Sequence, residues 1–375
     1  VNKKGRCLIT GEETEIVPLH ASIKGVRDAQ SSGANIISFN LDAFCSYNKK
    51  QGYNAPVGEY SAFAYTTALN TLLGKDSTQR VSVGDASTVY WSEKKTDFET
   101  DFTMFFSEPP KDDPDAGARK VKALFDSVKS GAYYDDDNNT IFYVLGLAPS
   151  AARIAVRFWQ VGTISQLADK IRQHFEDLAI IKPSKEPKFY SLWRLLVNSA
   201  IQDKSKNIPP NIAGDFMRAV LTGAPYPATI LQLVLRRINS DIDNRVKPSR
   251  AALIKAYLNR YYRMYPNKNH KEITMELDLK QPSIGYQLGR LFATLEKIQE
   301  EANPKLNATI RERFYGAACT SPVTVFANLM RLKNHHLAKI ENKGRVVSFE
   351  KMLAAIVGNV DDFPAHLGLH EQGRF

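Results

Sequence analysis

The sequence predicts an α+β protein: a mixed α/β N-terminal domain followed by an all-α helical bundle. Three observations carry this. Short strand-type runs flank a helix-type run over residues 1–105. Beyond about residue 150, apolar residues recur almost everywhere at three-and-four spacing, the pattern of amphipathic helices. Charge divides at the same place: residues 1–150 hold 16 Lys and Arg against 20 Asp and Glu, whereas residues 151–375 hold 34 against 20.

In chain order, EIVPLH (15–20) and NIISFNLDAF (35–44) are short runs of the strand type. NAPVGEYSAFAYTTALNTLLGK (54–75) reads as a helix, opened by Pro56 and stopped by Gly74. RVSVGDASTVYWS (80–92) alternates by twos around a Gly-Asp turn. SEPPKDDPDAG (107–117) is a loop, ARKVKALFDSVKSG (118–131) a short helix and DDDNN (135–139) a turn. TIFYVLGLAP (140–149) reads as a buried strand.

Helices are then expected in ISQLADKIRQHFEDLAII, FYSLWRLLVNSAI, IAGDFMRAVLTG, ATILQLVLRRINSDI and SRAALIKAYLNRYYRMY. GYQLGRLFATLEKIQEEAN, VTVFANLMRLKNHHLAKI and VSFEKMLAAIVGNV complete the set. No repeat is visible. The expected organisation is an α/β domain over 1–150, a basic helical region over 151–274 and a bundle over 275–375.

At 375 residues, with 43% hydrophobic and 24% charged residues, the chain can bury a sizeable core. Its longest apolar runs, such as ILQLVLRRI, fall short of the ~20 residues that a membrane helix needs. The start, VNKKGRC, has no apolar signal segment behind its basic residues. With the abrupt end at LHEQGRF, it reads as part of a longer protein. Three scattered cysteines, Cys7, Cys45 and Cys319, fit a reducing cytoplasm better than a disulfide framework. The net charge of +10 is concentrated in residues 151–274, with 21 Lys and Arg against 9 Asp and Glu; residues 275–375 hold 13 against 11. Such a block suits either a polyanionic partner or a solvated basic face.

Catalytic signatures are missing. Gly74-Lys75-Asp76 fails the phosphate-loop pattern, and no nucleophile elbow supports Ser31 or Ser32. CLITGE at Cys7 resembles half of a zinc knuckle without its other half. His335-His336 diverge around a helix, His366 and His370 do not complete HExxH, and DIDNR (241–245) lacks the glycine of a calcium loop. No enzyme, cofactor or metal is expected.

Features suited to nucleic acid remain. RDAQSSGANIISFN (27–40) reads as a turn and strand that present backbone and amide donors. Its neighbourhood supplies Lys24, Arg27, Gln30, Asn35, Lys49, Lys50, Gln51 and Asn54 as candidate phosphate contacts. Further on, Arg236, Arg237, Arg245, Lys247, Arg250, Lys255, Arg260 and Arg263 interleave with Tyr257, Tyr261, Tyr262 and Tyr265. Cations track phosphates and exposed rings stack on unpaired bases. The tyrosines read as half-buried core residues; the arginines read equally as phosphate contacts or as the wet rim of that core.

From DAQSSGANIISFNLDAFCSYNKKQGYNAPVGEYSAFAYTTALNTLL onward the chain resembles the Csd-type large subunit of the type I-C CRISPR Cascade complex. The likeness continues through RVSVGDASTVYWS and FYVLGLAPSAARIAVRFW. It resumes in GRLFATLEKIQEEANPKLNATIRERFYGAACTSPVTVFANLMRLKNHHLAKI and ends in DFPAHLGLHEQGRF. This resemblance implies a non-catalytic subunit of an RNA-guided surveillance complex. Such a subunit helps recognise a motif beside the target, open the duplex, stabilise the R-loop and recruit a nuclease-helicase. The implied partners are the guide RNA, target double-stranded DNA, its displaced single strand, and the backbone, guide-processing and small subunits, with no membrane.

In that family the C-terminal helical region is also made separately, from an internal start, as the small subunit; Met275 stands where such a start would fall. The near-neutral C-terminal third suits packing against other subunits, with Arg290, Lys297, Arg311, Arg313, Lys333 and Lys339 as its cations. The family protein is longer at its N terminus, so motif-reading residues are not carried over. Two rivals remain: a nuclease, and a structural subunit whose basic block binds only other proteins.

Overall fold

The computed structural model describes all residues except 1, 2, 46, 107–125, 127–129, 131–138, 210, 211, 242–244, 268 and 269. The expected loop at 107–117, helix at 118–131 and turn at 135–139 fall almost wholly outside the described residues, as does the centre of DIDNR. The structure joins a strand-rich N-terminal part to a helical C-terminal part, as the sequence predicts.

A small hairpin, β1 (Lys4–Arg6) and β2 (Glu13–Glu15), precedes helix α1 (Glu59–Leu72). Strands β3 (Arg80–Val83) and β4 (Ala86–Ser92) flank the expected Gly-Asp turn, with Gly84 at φ +63°. Helix α2 (Asp97–Phe106) follows, then β5 (Ile141–Ser150) and β6 (Arg153–Thr163). The four strands pair antiparallel in the order β3-β4-β5-β6.

Three expectations change. β6 extends the sheet beyond residue 150, so continuous helix begins only at Ile164. NIISFNLDAF is not a strand: Ala34 and Asn35 make single bridges, to Ile23 and Arg153, and Asp42–Cys45 is a short 3-10 turn. EIVPLH is strand only at its start: Glu15 ends β2 opposite Lys4, Ile16 makes one further bridge, to Gly58, and Pro18 then denies a ladder its donor. The apolar side chains of these segments pack as loops instead.

One face of the sheet is closed by two helices. Phe98 and Phe102 of α2 pack on Tyr90 and Phe142. Helix α5 (Ile212–Thr222) also lies on this face, over β6 and β3, and a Cβ at Gly84 would meet its Ala213. The other face packs Val89, Leu147 and Ile154 against Leu69 and Leu73 of α1 and against Ile23, Val26 and Ala34.

The helices that follow are α3 (Ile164–Leu178), α4 (Leu192–Ser199), α5 (Ile212–Thr222), α6 (Ala228–Ser240) and α7 (Pro248–Met264). Helices α8 (Ile284–Ala302), α9 (Ile310–Thr320), α10 (Phe326–Lys339), α11 (Lys343–Val357) and α12 (Leu369–Arg374) complete the chain. Ser283 caps α8, and Thr309 forms a capping box with Glu312 at α9.

The chain divides into two compact units. One comprises Val1–Gln173, Pro187–Leu196 and Ile208–Gly223; the other comprises His174–Glu186, Val197–Asn207 and Ala224–Phe375. In the second unit, Leu288, Phe292, Phe326, Leu329, Phe349 and Leu353 belong to one core. Its final turn is drawn inward: Phe375 packs on Phe292, Tyr315 and Phe326. Gly285 and Gly289 of α8 leave room for the backbone of Glu371 and Phe375, with which a Cβ would collide.

Candidate nucleic-acid interface

In the first unit, Ile23 and Ala34 close a loop with two backbone hydrogen bonds, of 2.9 and 3.0 Å. Val26 is buried beneath it, and Gly25 sits at φ +84° against the Leu73 carbonyl. The tip is held from below while its polar side chains face solvent. Lys24, Arg27 and Gln30 are exposed, with Arg27 3.6 Å from Asp28. Lys49 and Lys50 are exposed as well.

The other three candidates of this neighbourhood serve the fold. The Asn35 amide donates to the His20 carbonyl at 2.7 Å and accepts from Ser22 at 3.2 Å. Asn54 donates to the carbonyls of Lys49 and Gln51. Gln51 is half-buried at φ +50°. Five surface donors therefore remain of eight.

The basic block of the second unit divides more sharply. Helix α7 is buried almost all round from Ser249 to Arg260, and three expected phosphate ligands point into the protein. Arg250 donates to the carbonyls of Asn198 and Arg245 and pairs with Asp241 at 2.6 Å and Asp203 at 3.4 Å. Lys255 donates to the Asp177 carbonyl at 2.9 Å, and burial pushes its pKa down. Arg260 pairs with Asp177 at 3.2 Å, donates to the Ala224 carbonyl at 2.9 Å and lies 4.6 Å over the Tyr226 ring. Beside it His174 bonds Tyr226 at 2.6 Å; burial, then the Arg260 charge, holds His174 well below its ordinary pKa. These buried cations satisfy the buried Asp177, the half-buried Asp203 and Asp241, and backbone carbonyls, and present no charge to the surface.

Arg263 is partly exposed but pairs with Asp177 and Glu272, and the Asp177 hydrogen bond raises its pKa. Lys247 pairs with Asp203 at 2.5 Å and Arg237 with Asp241 at 3.7 Å. Arg245 donates to the Glu312 carbonyl at 3.3 Å. Arg236 alone of the eight is exposed with no carboxylate in ion-pair range among the described residues. Tyr257 is buried and Tyr261 and Tyr262 half-buried, as read from the sequence; Tyr265 is 58% exposed.

Of the C-terminal cations, Arg311 pairs with Glu296 at 2.6 Å and Lys297 with Glu300 at 3.4 Å. Arg290 donates to the Gln287 side chain at 2.7 Å, Lys333 to Asn334 at 3.0 Å and Lys339 to Asn303 at 3.2 Å. Lys339 and Arg313 are exposed. The acids that hold the buried cations escaped the sequence reading. Asp177 and Asp203 lie 83 and 47 residues from Arg260 and Arg250, so no local spacing reveals them. Lys206, Arg331 and Lys343 are further exposed cations that it did not single out.

Among the described residues, no three His, Cys, Asp or Glu side chains gather in a way that could hold a metal ion. Nor is any helix among them long and apolar enough to cross a membrane. No curated protein matches the chain. A family model described as CRISPR-associated protein (Cas_Csd1) matches residues 1–375. The chain belongs to this Cas_Csd1 family of CRISPR-associated proteins.

Proposed function

We propose that the protein is a non-catalytic large subunit of a type I-C Cascade complex, acting in the cytoplasm in antiviral defence. It helps bind target DNA, stabilise the RNA–DNA R-loop and recruit the nuclease-helicase. The observation that carries this reading is the family match over residues 1–375. It is supported by exposed cations, such as Lys24, Lys49, Lys50, Arg236, Arg313 and Lys339, that have no ion pair with a described carboxylate. Guide pairing reads the target sequence in such complexes, which leaves these cations to hold backbones. Its partners are the guide RNA, both target strands and the other protein subunits.

A salt series tests it. Reversing Arg236, Arg313 and Lys339 to Glu is expected to weaken binding of single-stranded DNA. The slope of log K against log salt should fall by roughly 0.7 for each phosphate that is no longer neutralised. Assembly with the other subunits should persist. Unchanged affinity and slope would remove these cations from the interface.

The purely structural reading draws on the number of cations already occupied inside the protein, among them Arg250, Lys255 and Arg260. It predicts no salt-sensitive binding of bare DNA, and the same titration separates the two readings.

A further inference from the structure

The loop that carries Lys24, Arg27 and Gln30 is held by groups from three neighbouring elements. Asn70 of α1 accepts the Lys24 N–H at 2.8 Å through Oδ1 and donates to the Ser22 carbonyl at 3.1 Å through Nδ2. One side-chain amide thus meets both a donor and an acceptor of the loop backbone, as a neighbouring strand would. Ser87 of β4, 8% exposed, accepts the Arg27 N–H at 2.8 Å. Ile154 of β6 donates to the Asn35 carbonyl at 3.0 Å. The segment itself makes a single bridge, Ile23 to Ala34, so these outside bonds set its shape.

The tip is left with donors to spare. Gly33, at φ +92°, closes a turn by donating to the Gln30 carbonyl at 2.9 Å. The backbone N–H groups of Gln30, Ser31 and Ser32 make no hydrogen bond to a described residue, nor do the two serine hydroxyls. Both serines are exposed. A Cβ on Gly33 would come within 3.1 Å of the Lys24 Cγ, so the Lys24 stem lies along this turn. The one acid between Ser22 and Asn35 is Asp28, 3.6 Å from Arg27. A cation beside hydroxyls and unpaired N–H groups selects an anion, and such donors hold phosphate without reading bases.

Resting on the DNA-binding reading given above, we infer that Asn70 and Ser87 are positioning residues: they hold the 22–34 loop in the shape in which Lys24 and the Ser31–Ser32 turn take one phosphate of a nucleic-acid backbone. Both act through the loop. Its ordering is complete before the strand arrives, which spares affinity the cost of ordering it then.

Asn70→Ala tests this in the full chain, by binding of single-stranded DNA across a salt series and by amide exchange. Asn70 lies in the last turn of α1, and Ala keeps that turn helical. Exchange over residues 22–27 should quicken, because Lys24 loses its acceptor. Affinity should fall roughly five- to tenfold, because the competent shape is then populated only in part. The slope of log K against log salt should hold, because every cation remains. Lys24→Gln should instead lower that slope by roughly 0.7, the share of one phosphate. Ser87→Ala should repeat the Asn70→Ala pattern. Bound DNA should slow exchange at Ser31 and Ser32 of the wild-type chain. Quickened exchange with unchanged affinity would overturn the inference and leave the function standing. So would a slope that falls with Asn70→Ala, since the phosphate would then be lost outright rather than held by a looser loop. Slowing at Ser31 and Ser32 by inorganic phosphate but not by DNA would make a free anion the ligand and equally refute it. A wild-type chain with no salt-sensitive DNA binding would overturn both the inference and the function.

Discussion

Asp177 and Arg260 offer the sharpest test of how the basic block is used. Asp177→Asn neutralises a carboxylate that is 4% exposed and lies 3.2 Å from the Arg260 side chain, itself 1% exposed. Arg263 is parted from the same carboxylate, 2.9 Å away. Breaking a buried pair from one side costs ~3–5 kcal/mol. The lower end applies here, because Arg260 keeps the Ala224 carbonyl and the Tyr226 ring. At ~2–4 °C per kcal/mol for a domain of ~150–250 residues, the melting temperature should fall by about 10 °C. Thermal unfolding followed by circular dichroism measures it, with urea unfolding as a check. Adding Arg260→Met to Asp177→Asn should recover much of the loss, because the buried charge goes too. A fall of less than about 2 °C for Asp177→Asn would refute the reasoning. So would an Arg260→Met variant that melts normally but loses DNA affinity, since Arg260 would then be a surface ligand.

Two further outcomes follow from the second unit. Gly289→Ala forces a Cβ against the backbone of Phe375 and should cost ~1–3 kcal/mol, with faster amide exchange over residues 367–375; unchanged exchange would mean the tail is not seated on α8. His370 bonds Tyr262 at 2.7 Å among Tyr257, Tyr261, His270, Glu371 and Arg374. Burial first, then the His270 and Arg374 charges, lowers its pKa. A histidine depressed on folding contributes stability above its ordinary value and loses it as pH falls below. Unfolding free energy should therefore drop from about pH 7 to about pH 5, and His370→Gln should flatten that slope; an unchanged slope removes His370 as its source.

The helices were legible because three-and-four spacing survives wherever one face is buried, and α6 and α8 start within a residue of the expected runs. Strand β6 was not. Its register shift between Gly146 and Leu147 inserts Arg157 between Val156 and Phe158, which breaks the period of two. NIISFN misled in the opposite sense, since β-branched residues fill a loop against the core as readily as they fill a ladder. The interface was legible as composition rather than as position. Arg236 and Arg250 look alike in sequence, yet one stands in solvent and the other is buried against the half-buried Asp241 and Asp203. That sorting depends on carboxylates brought from distant helices, which charge counting cannot see.

The core that gathers Leu288, Phe326 and Phe349 draws all its members from Ile284–Phe375, and Met275 lies in the irregular stretch before α8. Translation begun at Met275 would thus deliver a product with a complete interior and no severed helix. What it would lack is α7, against which Gly373 and His370 pack in the whole chain. The short product would carry that bared face as its mark of difference. One gene would then encode the same helices twice, once sealed by their own upstream neighbour and once open to a substitute.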